Sequence, residues 1–381
     1  MNVLIITSTF PTKRESWRGT YILDCARSLA LQHNVTVVYP ERLSAPNVGN
    51  EPFFIDEYLQ PRVRFVNFTY THFPKSWLVS YVAAFRKVLN RINAEQRIDV
   101  IFAHVVLPAG AAAVVWGRRL NVPVILTEQW GPAGDWLKDT MIPPRLMRAI
   151  VGKIYRRADC LTAVSDSLAE DITRTFGAHV DAKFDQPIDC EFFRPDGDNV
   201  TLEPRRVLCV TRADDPRKGV PNLLAAWKIV AREMADSVGL QIVAPDVHAL
   251  AAEVERNGIG ASCELVASIP PPGLAALFQK ASLIVIPSRY ETFGRTGAEG
   301  LACGVPVVST RCGGPAEYIT EGTGLMVPTE NPGALAEAIM VALQQRDKFL
   351  PPRELARRIC ERFSYEAVCQ RFTDLAESLI K

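Results

Sequence analysis

The segment from Ala281 to Ile319 constrains the fold more than any other part of the chain. Leu283–Pro287 is a continuous apolar run between turn residues, which is typical of a strand buried on both faces of a parallel sheet. Ala298–Cys303 follows at helical spacing, and Val307–Ser309 begins a second strand. This order of strand, loop, helix and strand predicts an α/β fold with a parallel sheet.

Two carboxylates lie on either side of the predicted start of this helix. Glu291 belongs to the loop, which also contains Gly294 and Gly297, and Glu299 belongs to the first turns of the helix. The first amides of a helix have no partners within the helix, and the helix dipole favours an anion there. We therefore predict that a phosphate group of a ligand binds at this helix start.

The composition indicates two domains with ordinary cores, because the chain has 381 residues and is 48% hydrophobic. The net charge of +1 does not suggest nucleic-acid binding. Basic residues exceed acidic ones over residues 1–187, and the reverse holds afterwards. This asymmetry indicates either an acidic partner for the first half or ordinary solvated faces.

The spacing of the cysteines and the lengths of the apolar segments indicate the cellular compartment of the protein. The nine cysteines form no CxxC pair and mostly lie in apolar segments, which predicts reduced thiols. The apolar part of Met1–Thr7 is too short for a signal peptide, and Val105–Trp116 is too short for a membrane span. We expect a cytoplasmic protein.

The chain opens with a βαβ pattern, in which strand Asn2–Thr7 is followed by helix Tyr21–Leu31 and strand Asn34–Tyr39. Such a unit commonly begins a doubly wound nucleotide-binding fold. The connection contains no GxGxxG motif, so a dinucleotide fingerprint is absent. Gly19 precedes the helix. It either lets the backbone approach a ligand closely or only permits a turn.

His104 stands at the end of the predicted strand Asp99–Ala103. Ligands of open α/β sheets gather beyond the carboxyl ends of the strands, so this histidine is the best placed of the five. The alternative is a structural histidine whose hydrogen bonds are satisfied inside the protein. A further strand, Val122–Leu126, ends before Gln129.

A basic amphipathic segment, Asp135–Asp159, carries apolar residues that include Trp136 and Leu146. A helix of this kind can lie on an anionic bilayer. It can equally pack on a sheet with its basic side chains in solvent. The sequence leaves both interpretations open.

A polar stretch ending at Pro204 predicts the interdomain linker, and Asp196-Gly-Asp198 within it is better explained as a turn than as a metal-binding DxD motif. The βαβ pattern then restarts with strand Arg205–Thr211. Arg212 and Lys218 flank a tight turn at the end of this strand. Two cations beside a helix start suit a diphosphate group.

Taken together, these motifs resemble those of the retaining glycosyltransferases of the GT-B class, family four, over nearly the whole chain. The resemblance rests on Glu291-x7-Glu299, on Arg212-x5-Lys218-Gly219 and on Gly313-Gly-Pro-Ala-Glu317, together with Gly19, His104 and the closing helix Phe363–Ile380. It implies an α/β fold of two Rossmann-like doubly wound domains facing a central cleft. Residues 1–187 with about 365–381 would form the acceptor side, and 188–364 would bind the nucleotide-sugar donor.

The resemblance also implies roles for individual residues. Arg212 and Lys218 would neutralise the departing diphosphate without a metal ion, Glu291 would hold a sugar hydroxyl, and Glu299 would bind the ribose. His104 would contact the sugar. The implied catalytic residues are Glu291, His104, Arg212 and Lys218, and the implied donor-binding residues are Gly19, Arg212, Lys218, Glu291, Phe293, Gly294, Arg295, Thr296 and Glu299.

The implied reaction has a UDP- or GDP-sugar as co-substrate and no cofactor. Its acceptor would be a glycan or a lipid-linked molecule in cell-surface polysaccharide or glycoconjugate synthesis, with a possible peripheral membrane location. Two departures from the family pattern are Gln129 in place of a histidine and Gln186-Pro187 in place of Asn-Gly. Two alternatives stay open: a sugar-nucleotide 2-epimerase, and a non-catalytic nucleotide-sugar-binding subunit.

Overall fold

The protein consists of two compact units in the computed structural model, Met1–Pro187 with Tyr365–Lys381 and Ile188–Ser364. The structure describes residues 1–11, 19–42, 54–70, 77–131, 143–197, 205–267, 269 and 271–380. No helix within these ranges is long and apolar enough to cross a membrane. Each unit has its own sheet and its own buried core.

The first unit is built on an eight-stranded sheet with the order β3-β4-β2-β1-β5-β6-β7-β8. All neighbouring strands pair in parallel except β3 and β4, which form an antiparallel edge. The strands are β1 Asn2–Ile6, β2 Asn34–Arg42, β3 Phe54–Gln60, β4 Val63–Tyr70, β5 Val100–His104, β6 Val124–Glu128, β7 Cys160–Ala163 and β8 Ala182–Lys183.

Among the described residues, the α-helices that lie between these strands are α1 Thr20–Leu29, α2 Trp77–Glu95, α3 Ala111–Leu120, α4 Pro144–Tyr155 and α5 Asp166–Phe176. The predicted cap of α5 is present, because the hydroxyl of Ser165 accepts a hydrogen bond from Leu168 N at 3.2 Å. The predicted elements did not include β3 or β4. Six of the seven residues in β3 are exposed, so this edge strand lacks the alternation of apolar and polar residues that reveals a half-buried strand.

The second unit contains a six-stranded parallel sheet with the order β11-β10-β9-β12-β13-β14. Its strands are β9 Arg205–Val210, β10 Val238–Ala244, β11 Cys263–Ala267, β12 Leu283–Ile286, β13 Val307–Thr310 and β14 Gly324–Val327. Its helices are α6 Val220–Met234, α7 Val247–Arg256, α8 Pro271–Gln279, α9 Arg295–Ala302, α10 Pro332–Gln344 and α11 Pro352–Phe363. The prediction of an α/β fold with two Rossmann-like sheets is confirmed.

The last helix, α12 Tyr365–Ile380, belongs to the first unit and packs against α1. The hydroxyl of Tyr365 donates to Asp24 at 2.6 Å, and His33 Nε2 lies 2.8 Å from the hydroxyl of Thr373. Phe372 is fully buried against Phe102 of the sheet. The chain therefore completes the core of its first unit only with its last helix.

The second unit is tied together where the chain enters and leaves it. Ile188 N donates to Phe363 O at 2.7 Å, and a disulfide joins Cys190 to Cys360 across a sequence separation of 170 residues. The expectation that the thiols are all reduced is wrong for this pair. Sequence spacing did not reveal it because the two cysteines meet only through the fold.

Reduction of this disulfide is expected to lower the free energy of unfolding, because the crosslink restricts the unfolded chain. For a loop of this length the chain-entropy model gives an effect of up to about 5 kcal/mol. Urea unfolding with and without a thiol reductant measures it. Cys360→Ser should unfold identically in both conditions, and Cys263→Ser, at a free cysteine, should keep the response of the parent. If the urea midpoint of the parent protein were the same with and without reductant, this result would contradict the crosslink.

Candidate functional site

The strand order of the second unit reverses between β9 and β12. The chain continues from β9 to β10 and β11 on one side, and β12, β13 and β14 lie on the other. Two loops that leave neighbouring strands in opposite directions open a crevice at the carboxyl edge, and ligands of such sheets bind there. Lys218 follows β9 and Glu291 follows β12. The fold therefore brings both residues to the switch point.

The two side chains form an ion pair. Lys218 Nζ lies 2.8 Å from Glu291 Oε1 and 3.0 Å from Oε2. Ser288 Oγ also donates to Glu291 Oε1, at 2.7 Å, and so fixes the carboxylate from the strand side. The lysine side chain is 29% exposed. Because an ammonium group has three donors, Lys218 keeps donor capacity for an anion in this crevice.

Gly219 explains why the two loops can approach so closely. Its φ of +64° lies in the left-handed region, and a Cβ at this position would be 2.1 Å from the carbonyl oxygen of Pro287. Any other residue would push the loop after β9 away from the loop after β12. The glycine that follows Lys218 is therefore required by the geometry that places the lysine beside Glu291.

Arg212 lies at the beginning of the same loop and is half exposed. Its guanidinium makes two hydrogen bonds to Asp214, at 3.1 Å and 2.7 Å, and these bonds lower the pKa of the Asp214 carboxyl. Asp214 is therefore a partner that orients the arginine side chain.

Helix α9 begins at Arg295, after Gly294 with a φ of +77°. Glu299 is buried on this helix, and Arg295 Nε donates to Glu299 Oε1 at 2.6 Å. Tyr318 supports the helix start by donating its hydroxyl to Gly294 O. Phe293 is 1% exposed and packs on Tyr318, so its side chain belongs to the core.

The glycine pair after β13 holds the Glu291 loop in place. Glu291 N donates to Cys312 O at 2.7 Å, and Gly314 N donates to Glu291 O at 2.8 Å. A Cβ on Gly314 would lie 2.4 Å from Phe293 Cα. The Gly313-Gly314 segment therefore acts through close backbone packing.

In the first unit the strand order reverses between β1 and β5, and two predicted residues lie near this point. Gly19 caps α1 with a φ of +71°, and a Cβ there would lie 3.0 Å from the backbone of Phe10. His104 ends β5 and is fully buried. Burial lowers the pKa of His104 to about 3, so its imidazole is neutral at physiological pH.

The carboxylate of Glu128, at the end of β6, was not identified as a site residue from the sequence. It accepts hydrogen bonds from three backbone amides, those of Val106, Gln129 and Trp130, at 2.9–3.0 Å, and from the hydroxyl of Tyr155 at 2.9 Å. Burial raises the pKa of this carboxyl, and the four donors oppose that shift. A carboxylate directly after an apolar strand was the signal in the sequence.

The basic segment Asp135–Asp159 is described only from residue 143 onward. There α4 buries Met147, Val151 and Ile154, while Arg148 and Lys153 face solvent. This arrangement agrees with packing on the sheet. Leu146 also faces solvent, with 53% of its surface exposed.

Comparison with known proteins gives two family matches. Residues 204–345 match the model described as glycosyl transferases group 1, and residues 19–183 match the glycosyl transferase 4-like domain. Both matched regions include the residues described above, with Lys218 and Glu291 in the first and His104 in the second.

Two D-inositol 3-phosphate glycosyltransferases are among the relatives. The protein from Kribbella flavida is 29% identical over 300 residues, which cover 71% of this chain and 69% of the relative. The protein from Corynebacterium urealyticum is 33% identical over 126 residues, which cover 33% of this chain but only 30% of the relative. The alignments therefore differ widely in how much of each relative they span.

Solved structures share the fold. Sucrose-phosphate synthase from Thermosynechococcus elongatus has a TM-score of 0.74 at 21% identity and covers 99% of this chain and 98% of its own. HepE from Anabaena in complex with UDP has a TM-score of 0.71 at 16% identity, and the match covers 99% of this chain and 100% of the HepE chain. At these sequence identities, the structural similarity shows a shared fold alone.

Burial of a neutral His104 predicts sensitivity to acid. Its pKa of about 3 in the folded protein lies below the ordinary value of 6.5, so between these values the unfolded chain binds more protons, and stability falls as the pH falls. From pH 7 to pH 5 the loss is about 2 kcal/mol. Urea unfolding at both pH values should show a smaller loss for His104→Asn than for the parent. The titration of His33 contributes equally to the loss of stability in both proteins, so it cancels from the comparison. Equal losses would contradict a buried neutral imidazole.

Proposed function

Because this chain belongs to the glycosyltransferases of group 1, we propose that it is a retaining glycosyltransferase that uses a nucleoside-diphosphate sugar. The observation that carries the proposal is the Lys218–Glu291 pair at the switch point of the second unit. The pair combines a cation suited to a leaving phosphate with a carboxylate suited to a sugar hydroxyl. Ligands of parallel α/β sheets bind at this edge.

The proposed chemistry begins with cleavage of the bond between the anomeric carbon and the phosphate oxygen. Negative charge then grows on the departing diphosphate, and Lys218 and Arg212 stabilise it by charge and hydrogen bonding. The backbone amides in the first turn of α9 are proposed to add donors for the same oxygens, because the N-terminus of a helix favours an anion. No metal ion is required for this step, because the charge is neutralised by side chains.

Glu291 is proposed to bind a sugar hydroxyl and to shield the oxocarbenium-like carbon. Its carboxylate is already fixed by Ser288 and by Lys218, so little reorganisation is needed when the sugar binds. The acceptor hydroxyl would attack on the face that the phosphate leaves, and the departing phosphate would take its proton. This route retains the anomeric configuration without a dedicated base.

Glu299 is proposed to accept hydrogen bonds from the ribose hydroxyls. One of its oxygens, Oε1, is held by Arg295, which orients the carboxylate. A carboxylate offers about four lone-pair sites, so it can accept from the arginine and from a ribose at the same time. In the first unit, His104 is proposed to donate a hydrogen bond to a substrate hydroxyl.

The donor is proposed to be a UDP- or GDP-sugar, and the UDP complex of HepE supports the choice of UDP. For the acceptor, a glycan or a lipid-linked molecule is proposed, in cell-surface polysaccharide or glycoconjugate synthesis. A thermal-shift panel of UDP-, GDP- and ADP-sugars tests the donor, since a ligand at 100 times its Kd adds about 2.7 kcal/mol of stability. Epimerised nucleotide sugar formed without acceptor would indicate an isomerase instead.

Replacement of Lys218 by alanine should reduce nucleoside-diphosphate release at least a hundredfold, because one preorganised donor to the leaving group is lost. The assay uses the donor from the panel with a membrane or glycan extract as acceptor. Arg217→Ala is the matched control, since Arg217 is the neighbouring cation in the same loop and pairs with Asp215. Equal losses in both variants would assign the effect to general loop charge.

The solvent-exposed surface of α4 is proposed to contact an anionic membrane surface, because its exposed residues include the basic Arg148 and Lys153 and the apolar Leu146. Arg148→Glu with Lys153→Glu should reduce co-sedimentation with vesicles that contain phosphatidylserine. Lys228→Glu, an exposed site on α6, is the control and should not change it. If the double substitution left vesicle co-sedimentation unchanged, this result would contradict a membrane contact through α4.

A further inference from the structure

We propose that Gln129 and Gln186 are positioning residues that hold His104 in the tautomer with its proton on Nε2, so that the histidine acts as a neutral hydrogen-bond donor. The value of this donor to catalysis rests on the proposed function. Both glutamines occupy positions where the chain departs from the family pattern. They lie in contact with each other in the structure.

The three side chains form a buried relay within the first unit. Gln129 Nε2 lies 2.8 Å from His104 Nδ1, and Gln186 Nε2 donates to Gln129 Oε1 at 3.3 Å. His104 is fully buried, and Gln129 and Gln186 are 7% and 8% exposed. Gln129 therefore bridges the other two residues.

The direction of the relay determines the position of the proton. The amide oxygen of Gln129 accepts from Gln186, so its amide nitrogen faces the imidazole. An amide NH2 group only donates, and Nδ1 must accept with its lone pair. A neutral imidazole that accepts at one nitrogen carries its proton on the other. Nε2 is then the donor.

Burial supports this neutral form. The pKa of His104 is lowered to about 3 by its removal from solvent, so the doubly protonated ring, with donors at both nitrogens, is disfavoured. The hydrogen bond from Gln129 then separates the two neutral tautomers. It favours the Nε2-protonated one, because the other would place two donors face to face.

The backbone around the relay is fixed from both sides. Glu128 Oε1 accepts from the amides of Gln129 and Trp130, which holds the loop that carries Gln129. Its other oxygen, Oε2, accepts from Val106 N, two residues after His104. Val105 between them adopts a φ of +70°, which is unusual for a β-branched residue.

The Nε2 atom of His104 is buried and has no hydrogen-bond partner among the residues that the structure describes. A buried donor without a partner is costly, and a ligand oxygen that accepts from it relieves that cost. The relay therefore presents an N–H suited to a hydroxyl or phosphate oxygen of a substrate. It also prevents Nε2 from acting as a base.

The experiment is a long-range ¹H–¹⁵N spectrum of the full chain labelled with ¹⁵N-histidine, with His104→Asn used to assign the His104 signals. In the parent we expect an imidazole protonated at Nε2 and unprotonated at Nδ1. Protonation of Nδ1 in the parent would overturn the proposal, and this result needs no variant to fold.

Two variants test the relay. Gln129→Glu places an acceptor opposite Nδ1 and should move the proton to that nitrogen. Gln186→Glu should have the same effect at a distance, because a carboxylate there would turn the Gln129 amide and aim its oxygen at the ring. A proton that stays on Nε2 in both variants would also overturn the proposal. Thr162→Val, at a buried hydroxyl on a neighbouring strand, is the control and should leave the tautomer unchanged.

Activity separates this inference from the function on which it rests. Both glutamate variants should slow nucleoside-diphosphate release at least tenfold, mainly in kcat, whereas Thr162→Val should not. If the tautomer shifts as expected and no protein in the series transfers sugar, the positioning stands and the proposed function fails. If transfer occurs and is insensitive to the tautomer, the proposed function stands and the relay has no catalytic role.

Discussion

The pairing of β9 with β12 is the constraint on which the candidate site of the second unit depends. The strands β10 and β11 and the α-helices α6, α7 and α8 separate them in sequence, and they become neighbours only because the sheet is doubly wound. Their adjacency brings the loop with Lys218 against the loop with Glu291. Gly219 permits the contact, since a side chain there would collide with the Pro287 carbonyl. The ion pair, the Ser288 hydrogen bond and the start of α9 all depend on this arrangement.

The corresponding sheet edge of the first unit carries a different set of side chains. Its switch point carries no ion pair like that of Lys218 and Glu291 among the described residues, and its central side chain, His104, is neutral and buried. Burial gives each polar contact more weight than it would have in water. The side-chain amides of Gln129 and Gln186 therefore determine the form of the imidazole that is presented, and the carboxylate of Glu128 holds the loop that carries Gln129.

The sequence predicted the fold best where strands are buried on both faces. The runs at 283–287 and 207–210 are continuous in apolar residues, as is typical of parallel strands that are buried on both faces. The exposed edge strand β3 has no such signal, and it was missed together with its partner β4. The Cys190–Cys360 pair was missed for a different reason, since its members are far apart in sequence and meet only in the folded chain.

The sequence by itself determined the α/β class and the residue types at the strand ends, because periodicity and residue chemistry are local properties. Tertiary structure alone decided which of these residues meet. Lys218 and Glu291 form one pair, Arg295 and Glu299 another, and Arg212 is oriented by Asp214. It also decided that Gln129 connects His104 to Gln186, because hydrogen bonds between distant segments depend on strand order and on the direction in which each amide points.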